Sequence, residues 1–149
     1  MASFAYTEFL SEVFLGHVDT DTVTWKLKLV DNTSTCDAEE DAANIAAFTT
    51  LGEADGANYA EKTLANVTVA KDTANNKITL DCDDVEWTNL GLNTNSEPNK
   101  AALVYVERGS DSVDLPAFYI DEGGFPHTPS GLNFSIEFPN KVMELKNSA

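Results

Sequence analysis

The stretch Leu64-Ala65-Asn66-Val67-Thr68-Val69-Ala70-Lys71-Asp72-Thr73-Ala74-Asn75-Asn76-Lys77-Ile78-Thr79-Leu80-Asp81-Cys82-Asp83-Asp84-Val85-Glu86-Trp87 decides the fold. Val67 and Val69 alternate with polar neighbours, Thr73-Ala74-Asn75-Asn76 supplies a turn, and Ile78, Leu80 and Cys82 alternate again. Two such runs about a short polar turn predict a β-hairpin. Beyond Cys82 the parity changes: Val85 and Trp87 are odd, whereas Ile78, Leu80 and Cys82 are even. Successive side chains of a strand face opposite sides, so one core takes both sets only if the chain bulges or bends at Asp83-Asp84.

Working outward, Ala101-Ala102-Leu103-Val104-Tyr105-Val106 is a continuous apolar run, as expected of a central strand covered on both faces. Leu115 to Ile120 is similar, with Pro116 pushing its start to an edge or a bulge. Leu132, Phe134, Ile136 and Phe138 alternate with polar residues, and Val142 to Leu145 could close a sheet. Towards the N-terminus, Asp21 to Leu29 reads as a half-buried strand. Val23, Trp25, Leu27 and Leu29 share one face, and Thr24, Lys26 and Lys28 the other. Tyr6, Phe9, Leu10, Val13 and Phe14 fall on one face of a helix, with Ser3 as its cap and Gly16 as its stop. That face packs on the protein's own sheet or serves as a docking arm. A second helix is expected from Asp37, with Glu40 completing a capping box, a stripe of Ala42, Ile45, Ala46 and Thr49, and Gly52 as the stop. Glycine, proline and asparagine turns separate the later strands. These pieces predict a mainly β chain, an antiparallel β-sandwich or barrel with one or two short helices. It is read as one domain over 1–149, with an N-terminal helix or arm over 1–18 and a β-rich body over 19–149.

Composition narrows the partners. The chain has 149 residues, enough for a core without staples. Nine Lys and Arg against 25 Asp and Glu give a net charge of −16, which repels phosphates and disfavours nucleic acid as a partner. High charge also keeps copies of a protein apart in water. No apolar run approaches the roughly 20 residues that span a membrane as a helix, so no membrane is expected. Cys36 and Cys82 stand far apart in no metal-ligand spacing. With no basic stretch at the start, two reduced thiols in an intracellular protein are expected, Cys82 as a core residue. On the same ground the triplets Asn32-Thr33-Ser34, Asn66-Val67-Thr68 and Asn133-Phe134-Ser135 are chance matches to the glycosylation pattern.

Sites of chemistry are sparse in the sequence. No glycine-rich phosphate loop, HExxH, GxSxG or CxxC occurs. His17 suits the carbonyl end of the first helix, and His127 lies in a Gly/Pro loop. Asp81, Asp83 and Asp84, or Asp19 and Asp21, could offer calcium oxygen ligands, but acids beside a bend more often accept backbone hydrogen bonds. No catalytic residue, cofactor or metal is assigned. Trp25 and Trp87 sit on apolar parity and are read as core, whereas Tyr59, Phe125 and His127 fall in polar loops. Together with Tyr6 and Phe9 of the helix face, these three are the candidate protein contacts.

In order, the motifs resemble those of a loosely defined group of tailed-bacteriophage virion structural proteins. Asp21-Thr22 with Leu27, then Tyr59 and Leu64-Ala65-Asn66-Val67-Thr68-Val69, match the first part of that pattern. Asp81-Cys82-Asp83-Asp84-Val85-Glu86-Trp87, Ala101 to Tyr105 and Gly123-Gly124 match the rest. Asn58 precedes Tyr59, and Glu61-Lys62 stand where the group often has glycines, so the loop there is expected to differ. The resemblance implies a nonenzymatic virion component, several of the group being head decoration (cement) proteins. The expected partner is then the major capsid protein on the capsid exterior, with a homo-oligomer, a trimer favoured, made in the host cytoplasm. The alternative expectation is a tail, collar or fibre-base protein, with a carbohydrate-contacting loop.

Overall fold

The chain opens with β1 (Phe4–Ala5) and a short helix, α1 (Thr7–Phe14), before the first long strand, β2 (Trp25–Asp31). The middle holds β3 (Lys62–Thr63), β4 (Thr68–Asp72), β5 (Lys77–Asp81) and β6 (Val85–Leu90). The second half holds β7 (Asn99–Val106), β8 (Leu115–Ile120), β9 (Leu132–Ile136) and β10 (Met143–Lys146). The computed structural model describes residues 3–138, and the backbone of 143–146. Every pairing is antiparallel, in a five-stranded sheet ordered β1-β8-β7-β2-β3, a three-stranded sheet β10-β5-β4 and a two-stranded sheet β6-β9. The architecture is mainly β and sandwich-like, with one short helix.

The apolar run at 101–106 is the middle of the large sheet, as its composition predicts. β7 pairs with β2 through Leu27↔Val104 and with β8 through Val104↔Phe118, and all of it except Lys100 is buried. Pro116 stands opposite Tyr105, beside a register shift between Val104 and Tyr105. A strand that lacks one N–H is accommodated at such an irregularity. β2 differs from expectation in two ways. It starts at Trp25, because Asp19 turns the chain by accepting the amides of Thr22 and Val23 (both 3.1 Å). It is also buried on both faces instead of one: Lys28 is only 6% exposed, its ammonium covered by paired carboxylates.

α1 packs on β8 through the Tyr6 and Phe9 part of its apolar face, the intramolecular reading, whereas Phe14 at the end of the same stripe is 87% exposed. Phe9 meets Trp25 and Phe118 edge-on at 5.7 and 5.1 Å, and Tyr6 meets Phe4 and Phe48. Tyr6 and Phe9 are 0% and 3% exposed, so as candidate contacts they are corrected to core. Ser3 does not cap the helix. The chain at Phe4–Ala5 pairs with β8 first, and the Ser3 hydroxyl donates to Asp121 Oδ1 (3.4 Å). Gly16 does end it: at φ +76° its amide reaches Val13 O and that of His17 reaches Glu12 O, a Schellman motif.

The expected second helix is absent from its span apart from a single 3-10 turn at Ile45–Ala47. Glu39 is the reason. Its carboxylate accepts the Thr35 hydroxyl and both the amide and hydroxyl of Thr49, offering the backbone a bonded alternative to helix. Thr35 N also donates to Thr50 O, so the segment is a loop closed at its neck. Ala42 and Ile45 still reach the core, whereas Ala46 and Thr49 face water.

The 64–87 stretch forms the hairpin and the bend. β4 and β5 pair from Thr68↔Asp81 to Asp72↔Lys77. The Asp72 carboxylate holds the turn by accepting the amides of Ala74 and Asn75. After buried Cys82 the chain leaves this sheet altogether. Asp83 N donates to Ala65 O (3.0 Å), and the Asp84 carboxylate accepts Phe138 N (2.7 Å). β6 then pairs with β9, bringing Val85 and Trp87 to the core at 7% and 0% exposure. The change of parity is therefore a change of sheet. On β9 and just beyond it, Phe134, Ile136 and Phe138 are buried, but Leu132 is 72% exposed: the ladder shifts register between Trp87 and Leu90 and carries it outward. The closing strand exists as β10, paired with β5, while Val142 lies outside the described residues. The buried apolar side chains form one contiguous cluster from Tyr6 to Phe138.

Candidate functional site

Lys26 and Lys28 project from β2 on the parity opposite Trp25 and Leu27, towards the Tyr105 side of β7. Lys26 Nζ contacts Glu61 (2.8 Å) and Glu107 (2.6 Å), and Lys28 Nζ contacts Glu53 (3.0 Å) and Glu61 (2.9 Å). The Tyr105 hydroxyl donates to Glu61 (2.6 Å). The Tyr59 hydroxyl donates to Glu53 (3.0 Å) and accepts Leu29 N (3.1 Å). Burial raises the Glu61 carboxyl, but hydrogen bonds from Lys26, Tyr105 and Lys28 more than offset it and hold it at about 2. Burial lowers Lys28, and its two carboxylate partners reverse the sign. Every charged group here has an opposite partner, so the network fastens the 53–61 loop to the sheet. It offers no poised base or nucleophile.

Tyr59 is thus tied at its hydroxyl, and its ring lies parallel to Trp87 at 6.5 Å. Trp87 continues a stack onto Phe134 (6.0 Å), whose ring also meets His127 (4.0 Å, near-parallel) and Phe125 (5.7 Å, edge-on). All three loop candidates therefore converge on one aromatic row built on β6 and β9, each half-buried. Wholly buried Asn99 anchors that loop by exchanging backbone hydrogen bonds with His127, both 2.8 Å. Burial pushes His127 below its ordinary value, favouring the neutral ring. His17 bonds Glu12 (3.2 Å) at the helix end, far in sequence from His127.

Asp81, Asp84 and Asp19 take the backbone-bonding role, and Asp83 bonds a side-chain amide. Asp81 accepts Cys82 N, Asp83 accepts Asn66 Nδ2 (2.7 Å), Asp84 accepts Phe138 N, and Asp19 accepts Asp21 N. Among the described residues no group of three or more acids, histidines or cysteines is placed to hold a metal ion. Cys36 and Cys82 are free and buried. Burial pushes both thiols up, to about 11 and about 12, which keeps them protonated and unreactive at neutral pH.

Two concavities were not legible in the sequence. One is an apolar groove of about 210 Å³ between α1 and the β4–β5 hairpin, lined by Leu10, Val13, Phe14, Val69, Ile78 and Leu80 among others. Phe14 is 87% exposed there and Ile78 48%. The other is a polar cleft of about 370 Å³ lined by Asn32, Asp37, Lys100, Tyr119, Asp121, Phe125 and Pro126. Its members come from separate segments that the β2–β7 and β7–β8 pairings bring together, so no local pattern could announce it. Phe125 is the one lining residue read as a candidate contact from sequence. No family model, no curated protein and no solved structure matches the chain, so its description rests on its own residues.

Proposed function

We propose that this chain is a virion structural protein of a tailed bacteriophage, a decoration protein that binds the outer face of the assembled head and stabilises it. The observation carrying this reading is the apolar groove between α1 and the hairpin. It leaves Phe14 and Ile78 in water on a chain of net charge −16. Contiguous apolar surface on an otherwise charged protein is the mark of a macromolecular contact. The acidity turns that contact away from packaged DNA and towards protein. The proposed partner is the major capsid protein, presenting an apolar patch with a basic rim. The motif series that resembles phage virion proteins is consistent with this use, since Asp81 to Trp87 builds the joint between two sheets. Copies clustered as a symmetric oligomer, a trimer favoured, would each make modest contacts that add through multivalency.

The test mixes purified protein with DNA-filled heads that lack it and follows co-sedimentation. Saturable binding in many copies per head is expected, and it should be lost in the double variant Phe14→Asp, Ile78→Asp while the wild-type fold persists by circular dichroism. A cryo-EM map of the virion that places the chain in the tail alone would overturn the reading and favour the tail or fibre-base role.

A further inference from the structure

We propose that the outer edge of β4 pairs antiparallel with the same edge of a second copy of this chain, joining the two hairpin sheets into one continuous sheet. β4 ends its sheet in the order β10-β5-β4, so among the described residues it has a strand on one side only. Thr68, Val69, Ala70 and Lys71 are all exposed. A free strand edge is a template for another strand. The contact does not depend on head binding. It is twofold, so beside a threefold cluster it would link neighbouring clusters.

The ladder fixes which backbone groups face outward. Ala70 stands opposite Thr79, whose hydroxyl donates to Ala70 O at 3.5 Å. That carbonyl therefore points at β5, which makes Ala70 and Thr79 a hydrogen-bonded pair of the antiparallel ladder. Such pairs alternate along a strand, so Val69 and Lys71 turn their N–H and C=O groups away from β5. A twofold axis at Ala70 sets Val69 of one copy against Lys71 of the other, and Lys71 against Val69. Each of these pairs then exchanges both of its backbone bonds.

Charge argues for a second copy as the occupant. With 25 acids against nine bases, two copies repel each other at most approaches. β4 is different: Asn66 to Lys71 contains no acid. Asp72 is the strand's one carboxylate, and it is held by the amides of Ala74 and Asn75 and by Asn75 Nδ2 (2.7 Å). In the twofold register Asp72 meets Thr68, Ala70 meets Ala70 and Lys71 lies beside Val69, so no acid faces an acid. The aliphatic stem of Lys71 then covers Val69, which is 39% exposed. Because both copies use the same patch, the contact closes on itself as a pair and does not grow into a fibre.

The experiment is sedimentation equilibrium of the full-length chain in about 0.15 M sodium chloride, where repulsion between exposed acids is screened beyond roughly 8 Å. The comparison is with Lys71→Pro, which removes one outward N–H and leaves the bonds to β5 in place, as proline on an edge strand does. As the concentration is raised to about 1 mM, the range of a small interface, the parent's mass should reach twice that of Lys71→Pro. Lys71→Ala keeps the amide and should associate like the parent. Amide hydrogen exchange of the nitrogen-15-labelled parent gives a readout that needs no variant. Val69 and Lys71 should become protected over the same concentration range, while Ala70, bonded to Thr79, is protected throughout. The proposal is overturned if the parent and a folded Lys71→Pro have the same mass up to that concentration. It is also overturned if the Val69 and Lys71 amides exchange as fast in concentrated solution as in dilute.

Discussion

Gly56 passes so close to Gly91 that a Cβ built on it would lie 2.1 Å from the Gly91 carbonyl oxygen. The obstacle is backbone, pinned by a hydrogen bond from Gly91 N to Ala57 O (2.8 Å), so it cannot step aside as a flexible side chain would. Gly56→Ala should therefore cost more than about 2 kcal/mol, the upper part of the overpacking range, read as a lower urea midpoint. Glu61 is the second critical residue, because one carboxylate serves Lys26, Lys28 and Tyr105. Its folded value lies below its ordinary 4.5, so its contribution is present above that pH and is lost as the pH falls towards about 2. Glu61→Gln should cost about 1–3 kcal/mol near neutrality, since it leaves a half-buried lysine short of a partner. It should also flatten the acid limb of a melting-temperature-versus-pH curve in that window. The residue scale was partly legible. Trp25 and Trp87 read as core and are core, at 2% and 0% exposure. Nothing in the sequence marked Glu61 as the meeting point of three partners, because they stand 35, 33 and 44 positions away.

Elements obeyed their local signals where nothing else competed for the backbone. α1 stops where Gly16 allows a left-handed residue, and replacing it with alanine at φ +76° should cost about 1 kcal/mol by thermal denaturation. The Asp37–Gly52 segment shows the opposite outcome. A capping-box pattern was present, but Glu39 spends its carboxylate on Thr35 and Thr49 and so closes a loop. A side chain that bonds across ten residues outweighs helix propensity, and no period in the sequence reports it. The β4–β5 hairpin forms as its alternation predicts, yet Val69 and Ile78 remain 39% and 48% exposed. Alternation fixes which side chains share a face; whether that face is covered depends on what packs there. Ile78→Thr should accordingly change unfolding free energy by less than about 0.5 kcal/mol, as at exposed positions generally.

At the scale of the whole molecule, 25 acids against nine bases act together. The ion pairs at Lys26, Lys28, Lys100 and Arg108 consume much of the positive charge and leave the remaining acids to repel one another. Salt screens such repulsion over roughly 10 Å at about 0.1 M. Raising sodium chloride from about 10 mM to about 500 mM should therefore raise the melting temperature, measured by scanning calorimetry. A fall instead would mean that the partnered network contributes more than the unpaired acids cost.

The sequence alone determined the mainly β class, the hairpin, the central strand at 101–106 and the break at Asp83-Asp84, because each is set by side-chain parity and turn chemistry within a few residues. Tertiary structure alone decided that the break is a crossing between sheets and that Tyr6 and Phe9 are interior. It alone created the groove and the cleft, since both are gaps between segments distant along the chain. Local pattern says which way a side chain points; only the packed neighbours say what it meets.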